Sequence, residues 1–457
     1  MTSPFLRSKD STKKTMMYLS ISLIPIILFS LYKNSFVLYF YKDGSFIDAI
    51  HPILMYIVAI LTCFISEALF LKFILKKEVK EIKDSYFAFP AIFLVLVIPI
   101  NTPLFIVFLG SIFATIVGKM LFGGFGKNIF NPALVGALFI VSSYSTLIAN
   151  KGGYLTSVDA IAGTTPLSNL GALNYVETYT NIVGKFGDFF NFIFGSIPGT
   201  LGEVNKFLII IAFIFLVYKK VLKYRITIFY VLTVFLMTYI IGFKIGLFYP
   251  IFHILSGGLL FGAVFMATDP VTSPTTKYGQ ILYGISLGIL TVLLRFLTPY
   301  PEGVLTSILF MNMLVGLFDK ISINKNYIYL IILITISMLL SFYISTNLYK
   351  VKKEEDIKIL NKVQIDESYV YTVSSKGFGL IEAEVKIKDS KIIDIKILNN
   401  SSETYWFEIE NNDYLNKLIK SNNINDIDTI SGATFTSKGL KDMLIKVIED
   451  YEVNYEN

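Results

Sequence analysis

Residues 226–243 read ITIFYVLTVFLMTYIIGF, eighteen positions without a charge, bounded by Lys223 and Arg225 on one side and Lys244 on the other. A helix needs about 20 apolar residues to cross the hydrocarbon of a bilayer, so this stretch reads as a membrane span. Comparable runs, several of them short, lie near 16–32, 51–71, 86–100, 103–118, 132–149, 206–219, 250–267, 279–297, 303–318 and 326–348. With 226–244 they make eleven. The chain of 457 residues is 54% hydrophobic with a mean hydropathy of +0.63, more apolar surface than a soluble chain of that length can hide. The expectation is a polytopic α-helical membrane protein in contact with lipid, not a nucleic-acid partner.

Charge orients the spans. The basic segments are the N-terminus (Arg7, Lys9, Lys13, Lys14), Lys72–Lys83, Lys119–Lys127, Lys219–Arg225 and Lys320–Lys325. All fall on one side if the N-terminus is cytoplasmic, as the positive-inside rule requires. The segment 150–205 and everything after Lys350 then lie outside, in a multi-pass protein of the cell membrane. The first apolar run has no A-x-A cleavage signal and reads as a retained span. Ten spans precede the last basic loop and divide as five and five. An odd-numbered unit places its second copy inverted, so a 5+5 inverted-repeat core is expected, with 326–348 as an anchor helix.

From Lys350 onward there are 15 Lys+Arg against 20 Asp+Glu, whereas the whole chain is +6. An acidic tail on a basic membrane part is a second body. The expected divisions are a cytoplasmic tail 1–15, a ten-span part 16–325 with outer loop 150–205, the anchor 326–348 and a tail domain 349–457. That domain reads as α+β. Residues 379–388 partly alternate, and 391–398 follow a turn at Asp389-Ser390, suggesting a hairpin. Leu440, Met443, Leu444, Val447 and Ile448 fall on one face of a final helix. One Cys (Cys63) and two His (His51, His253) exclude an intrachain disulfide and a Cys-ligated cluster built from this chain alone. No strand–GxGxxG–helix unit appears, so nicotinamide chemistry belongs elsewhere.

Two strings carry chemistry. In the tail, Asp428-Thr429-Ile430-Ser431-Gly432-Ala433-Thr434 leads through small residues into the final helix. Gly432 and Ala433 let backbone approach a bulky group. The helix start favours a phosphate, and Thr434 offers a hydroxyl. Local physics also allows a plain helix cap by Ser431, Thr434 or Thr436. In the outer segment, Asp159-Ala160-Ile161-Ala162-Gly163-Thr164-Thr165-Pro166-Leu167 is a weaker copy that also reads as a flexible loop.

The first string resembles the recognition sequence of FMN-binding domains, Asp-x-x-(Ser/Thr)-Gly-Ala-Thr, whose last Thr carries FMN by a phosphoester bond. The resemblance implies covalent FMN at Thr434, with Asp428, Ser431, Gly432 and Ala433 around it. The second string keeps Asp159, Gly163 and Thr165, but Ala162 replaces the usual Ser/Thr and Thr164 the usual Ala. It implies a second FMN on Thr165, with Thr164 offering another hydroxyl beside it.

Residues 121–136 (LFGGFGKNIFNPALVG), 262–276 (GAVFMATDPVTSPTT) and 195–203 (GSIPGTLGE) resemble the RnfD/NqrB family, membrane subunits of the Rnf and sodium-pumping NADH:quinone oxidoreductase complexes. That likeness covers about 15–325, and the tail resembles the RnfG/NqrC subunits, so the chain looks like a fusion of two subunits. It implies an electron-transfer subunit of an ion-translocating complex with no complete catalytic site of its own. The implied partners are the other complex subunits and an FAD:protein FMN transferase, and a non-covalent riboflavin in the membrane core is implied as well. Where the family shows Glu-Thr-Pro-Gly, this tail has Glu403-Thr404-Tyr405-Trp406.

Gly123, Gly124, Gly126 and Asn131-Pro132, like Thr268-Asp269-Pro270 and Pro274, would break helices around a cavity or serve as inner connecting loops. Glu67 lies inside a span, four residues from Cys63, and is either functional or snorkels to the inner interface. Arg295 reads as an interfacial anchor and Cys63 as a core residue, while Trp406 either stacks on a flavin or fills the core of the tail domain. Two rivals to the relay are a transporter-like scaffold without flavin, and a flavin relay to extracellular acceptors.

Overall fold

The computed structural model describes residues 11–455, except 42–44, 152, 154–164, 173–174, 176–178, 196, 204, 299–302, 324–326, 352–356, 366–367, 377–379, 389, 401–405, 407, 411, 422–423, 425–426 and 431–432. The described chain divides into two compact units, 1–168 with 177–345 and 169–176 with 346–457.

Among the described residues seven helices are long and apolar enough to cross a membrane: Thr12–Tyr41, Phe46–Ile74, Leu104–Phe122, Pro132–Ala149, Tyr224–Ile241, Lys277–Leu297 and Ile328–Leu348. Two further stretches, each expected as one straight span, are bent pairs. Phe248–Leu255 and Leu259–Met266 meet at 65°, and Val304–Met313 and Val315–Ile321 at 59°, which raises the count of spans to nine if each pair is one. Hydropathy is blind to both bends, because small residues such as Ser256-Gly257-Gly258 barely lower the average. The stretches 86–100 and 206–219 form the shorter apolar helices Ala88–Val97 and Lys206–Tyr218.

The centre of the first unit is built on close helix approach. Lys277–Leu297 is the most enclosed of the seven, whereas few residues of Ile328–Leu348 are buried. Lys277–Leu297 packs on Tyr224–Ile241 through Gly284 and Gly288. A Cβ at Gly284 would stand 2.8 Å from the Ile226 carbonyl, and one at Gly288 2.5 Å from the Thr233 Cβ. Small residues four apart let two backbones meet, so dispersion and hydrogen bonds can replace the hydrophobic effect that lipid does not supply. The buried Tyr230 hydroxyl shares a 2.6 Å hydrogen bond with Thr291, and Thr291 another of 2.8 Å with Ser307. The pair Leu104–Ile116 and Pro132–Asn150 repeats the device, with a Cβ at Gly136 only 2.6 Å from the Gly110 carbonyl.

The second unit contains a four-stranded antiparallel sheet, β1 (Ile357–Ile365), β2 (Ser368–Lys376), β3 (Leu380–Lys388) and β4 (Lys391–Asn400), in sequential order. The expected hairpin is β3–β4, with Lys388 opposite Lys391 and Ser390 at a φ of +54°. One sheet face presents Tyr371, Val373, Ile381, Ala383, Val385 and Ile387, and the helix Thr434–Tyr455 contributes Leu440, Met443, Leu444 and Val447 to the same core. Trp406 packs against it, as expected of a core residue. At the far end of the helix, Asp450 accepts from Lys362 on β1 at 2.7 Å and from the Tyr371 hydroxyl at 3.1 Å. Burial alone would raise the Asp450 carboxyl, but the bonds from Lys362 and Tyr371 and the Lys362 charge prevail and hold it below the ordinary range.

Two outcomes follow from these contacts. Gly288→Leu should cost about 1–3 kcal/mol of stability, read as a lower melting temperature of the detergent-solubilised protein, with Gly288→Ala milder. A carboxyl with a depressed folded pKa stabilises above its unfolded pKa of about 3.9 and loses that contribution as the pH falls through the folded value. Asp450→Asn should therefore be less stable than wild type near neutrality, by less than about 1 kcal/mol for so exposed a pair, and the gap should close on acidification. The single tryptophan of the chain, Trp406, gives a fluorescence signal for the tail alone.

Candidate flavin sites

The tail motif forms a strap across the start of the last helix. Ala433 is buried, its N–H bonds the Ile430 carbonyl at 3.2 Å, and the Ile430 N–H donates to Ser437 Oγ at 3.1 Å. Ser437 Oγ in turn donates to the Ala433 carbonyl at 2.9 Å. Lys441, two turns along, reaches back to the Ile427 carbonyl, and Tyr414 OH donates to the Ser437 carbonyl at 3.5 Å. Burial first, then the charges of Asp428 and Asp442, push the Tyr414 hydroxyl well above its ordinary range, which keeps it a donor. Ser437 thus ties the Ile430 N–H to the helix start, while the capping open to Ser431 and Thr434 rests on side chains outside the described residues. The Thr436 hydroxyl is fully buried with no hydrogen-bond partner, so it caps nothing.

Thr434 is the first residue of a 22-residue helix with no acidic residue in its first turn. The first-turn N–H groups of such a helix lack helical acceptors and carry the positive end of the dipole. A phosphate ester at Thr434 fits that place electrostatically. Asp428 is exposed, while Ser431, Gly432 and the side chain of Thr434 lie outside the described residues.

In the outer segment, Asp159, Gly163 and Thr164 lie outside the described residues as well. Thr165 stands before the short helix Pro166–Ala172. Its hydroxyl accepts from the Ser168 N–H at 3.3 Å and shares a 2.9 Å hydrogen bond with the Ser168 hydroxyl. Thr165 is a helix cap in this structure. An ester oxygen retains acceptor capacity but can no longer donate, so esterification leaves the cap from the Ser168 N–H possible and keeps the hydroxyl bond only with Ser168 as its donor.

The two family-like membrane segments meet. Phe125, Asn128, Asn131 and Pro132 from the first, and Val264, Phe265, Thr268, Asp269, Pro270 and Val271 from the second, line one partly open pocket. Tyr86, Phe89 and Phe93 add aromatic walls, and Lys119 a cation. Asn131 caps the following helix, its Oδ1 accepting from Ala133 N–H at 3.1 Å. Asn312 ties the segments together: its Oδ1 accepts from Asn131 N–H at 3.1 Å and its Nδ2 donates to the Thr272 carbonyl at 2.9 Å. Apolar and aromatic walls with a few fixed polar groups suit a flat heteroaromatic ligand. Each segment joins a helical stretch, Pro132 onward or Gly262–Met266, to a helix connection, with Gly123 at a φ of +106°. Of the two readings left open, the loop reading describes the backbone and the cavity reading describes the walls.

Glu67 does not snorkel. It is buried and its carboxylate accepts from Lys119 at 2.8 and 3.0 Å, while Lys119 also donates to the Ser85 carbonyl at 2.8 Å. Charge and hydrogen-bond demand are met within the pair, so its burial is sustainable, and removing either member would strand the other at a cost of about 3–5 kcal/mol. Cys63 is buried beside it. Lys119 falls in a segment that reads from sequence as a basic loop. Its pairing is invisible there because its partner is 52 residues away. Arg295 is no interfacial anchor: it is 1% exposed and donates to the carbonyls of His253 at 2.6 Å and Ser256 at 3.3 Å. Lys33 and Lys206 are buried too, with Lys33 on the Ile197 carbonyl at 2.9 Å and Lys206 on the Glu203 carbonyl. The signal that could have found Lys33 is a lone lysine at the end of an apolar run.

Comparison with known proteins agrees with this geometry. The family described as NQR2, RnfD, RnfE matches residues 1–328, and the FMN-binding domain matches 377–449. The D subunit of the proton-translocating ferredoxin:NAD(+) oxidoreductase complex of Clostridium ljungdahlii is 32% identical over 321 residues, 70% of this chain and 92% of that protein. The D subunit of the Na(+)-translocating ferredoxin:NAD(+) oxidoreductase complex of Acetobacterium woodii is 30% identical over 325 residues, 71% of this chain and 93% of that protein. The B subunit of the Na(+)-translocating NADH-quinone reductase of Yersinia pestis is 32% identical over 253 residues, 54% of this chain and 61% of that protein. The chain belongs to the NQR2, RnfD, RnfE family and carries, C-terminal to the family's membrane part, an FMN-binding domain.

Proposed function

We propose that this chain is a membrane subunit of an ion-translocating electron-transport complex of the Rnf or Nqr kind, relaying electrons through covalent FMN on the outer face of the cell membrane. The observation that carries the reading is the union, in one chain, of the family's membrane part with an FMN-binding domain whose motif threonine opens a long helix. FMN, when bound, supplies one- and two-electron transfer. The chain's own contribution is to hold it. The Thr434 hydroxyl is the attachment point, the helix start stabilises the phosphate charge, and the strap of Ile430, Ala433 and Ser437 fixes the threonine in place. Thr165 is proposed as a second attachment point, with an FAD:protein FMN transferase as the modifying partner and the remaining complex subunits as donor and acceptor.

The proposed topology is eleven spans, N-terminus inside and tail outside, as five plus five and an anchor. It counts each bent pair as one span and gives Ala88–Val97 and Lys206–Tyr218 one span each. The basic segments then share the inner side, and both motif threonines the outer. The division into 1–15, 16–325, 326–348 and 349–457 follows the same scheme. The cavity between the 125–132 and 264–271 segments is proposed to hold non-covalent riboflavin against its aromatic walls.

Intact-mass measurement of the full chain, co-produced with the transferase, tests the attachment. Two FMN-sized additions are expected, one lost in Thr165→Ala and the other in Thr434→Ala. A single addition lost only with Thr434→Ala would remove Thr165 from the scheme, and no addition would leave the transporter-like scaffold. For the cavity, Val264→Trp should abolish the flavin released by acid precipitation while leaving the covalent additions in place. Undiminished release from that variant would rule the cavity out.

A further inference from the structure

Where Phe248–Leu255 ends, the last-turn carbonyls have no helical partners and form the negative pole of the helix. The break at Ser256-Gly257-Gly258 holds them in place, with Gly257 at a φ of +67°. The Glu203 carboxylate lies against it: a Cβ on Gly258 would stand 3.1 Å from Glu203 Oε2, and Oε1 accepts from the Thr200 N–H at 2.8 Å. Glu203 is 5% exposed. The break thus gathers oxygen donors alone, a buried carboxylate with the carbonyls of Glu203, His253, Ser256 and Gly257. Carbonyls at the end of a half-helix with a carboxylate beside them are the environment that a desolvated cation takes in ion-carrying membrane folds.

Here the protein supplies the cations itself. Arg295 donates to the His253 and Ser256 carbonyls at 2.6 and 3.3 Å. Lys206 donates to the Glu203 carbonyl and to that of Gly257, the latter at 3.4 Å. Both are 1% exposed, so neither is screened by solvent, and their two charges outweigh that of Glu203. We infer that Lys206 and Arg295 are tethered cations that plug the broken helix, closing it to passive passage of sodium ions and protons. A free cation approaching these oxygens would have to displace two covalently tethered charges that already satisfy them. The Ser256 hydroxyl and both ring nitrogens of His253 are buried without hydrogen-bond partners. Once the plug is gone, that spare polar capacity would serve an entering hydrated ion. The inference concerns the membrane part alone and stands whether or not either threonine carries flavin.

The test is passive flux through the full chain reconstituted in vesicles of phosphatidylethanolamine and phosphatidylglycerol, with no electron donor present. Radioactive sodium reports the ion and an internal pH dye the proton. The Lys206→Met, Arg295→Met double variant should raise passive flux roughly ten-fold or more, the change given by lowering a barrier by about 1.4 kcal/mol. The charge-keeping pair Lys206→Arg, Arg295→Lys should stay as tight as wild type. A double variant that elutes as a single species in detergent yet leaks no faster than wild type would overturn the inference and leave the two cations as supports of the bend. If the double variant cannot be recovered, Lys206→Met is measured alone with Arg295 still holding the bend. Raised flux there supports the plug, and wild-type tightness overturns it.

Discussion

A backbone carbonyl in hydrocarbon must find a donor inside the protein, and the membrane unit is organised around that demand. Continuous helices meet it internally. The irregular segments 197–203 and 256–258 cannot, and each is served by a buried cation. Lys33 reaches Ile197, Lys206 reaches Glu203 and Gly257, and Arg295 reaches His253 and Ser256. The Gly202 N–H likewise meets the Leu96 carbonyl at the end of Ala88–Val97, at 2.8 Å. Charges that would be prohibitive alone in lipid become sustainable because each replaces a hydrogen bond the backbone lacks.

The same logic shapes the cavity. Its walls come from two segments far apart in sequence, held in register by Asn312, whose amide serves Asn131 on one side and Thr272 on the other. Beside it the Glu67–Lys119 pair places an ammonium at the cavity wall while its charge is balanced from behind. The result is an apolar, aromatic pocket with polar groups at fixed points. Positions set by backbone-satisfying bonds move little, so the pocket walls are held at fixed places.

In the tail, the sheet and the last helix share one apolar core, and the motif is strapped to the helix start by bonds among Ile430, Ala433 and Ser437. A threonine there is presented by a rigid element rather than by a free loop. Thr165 is presented differently, its hydroxyl engaged by Ser168 at the head of a seven-residue helix. The two threonines share a sequence pattern and differ in mechanical support.

The sequence alone was enough for the apolar character of the membrane part, the acidic tail, the β3–β4 hairpin and the apolar face of the last helix, together with the family and the FMN-binding domain they point to. Each depends on composition or on neighbours within a few residues, so a local reading suffices. Strand β1 is not legible in the same way, because a register shift between Ile359 and Asn361 interrupts the alternation of an edge strand whose pairing lies in the fold. Arg295 looks like an interfacial anchor and Lys119 like loop charge, since proximity to a span end is all a sequence displays. Their burial, the bends at 256–258 and 314, and the cavity joining 125–132 to 264–271 were decided by tertiary structure alone. The physical reason is shared: each rests on a hydrogen bond or ion pair between groups tens to nearly two hundred residues apart, and linear order carries no record of which distant carbonyl or carboxylate a buried charge will meet.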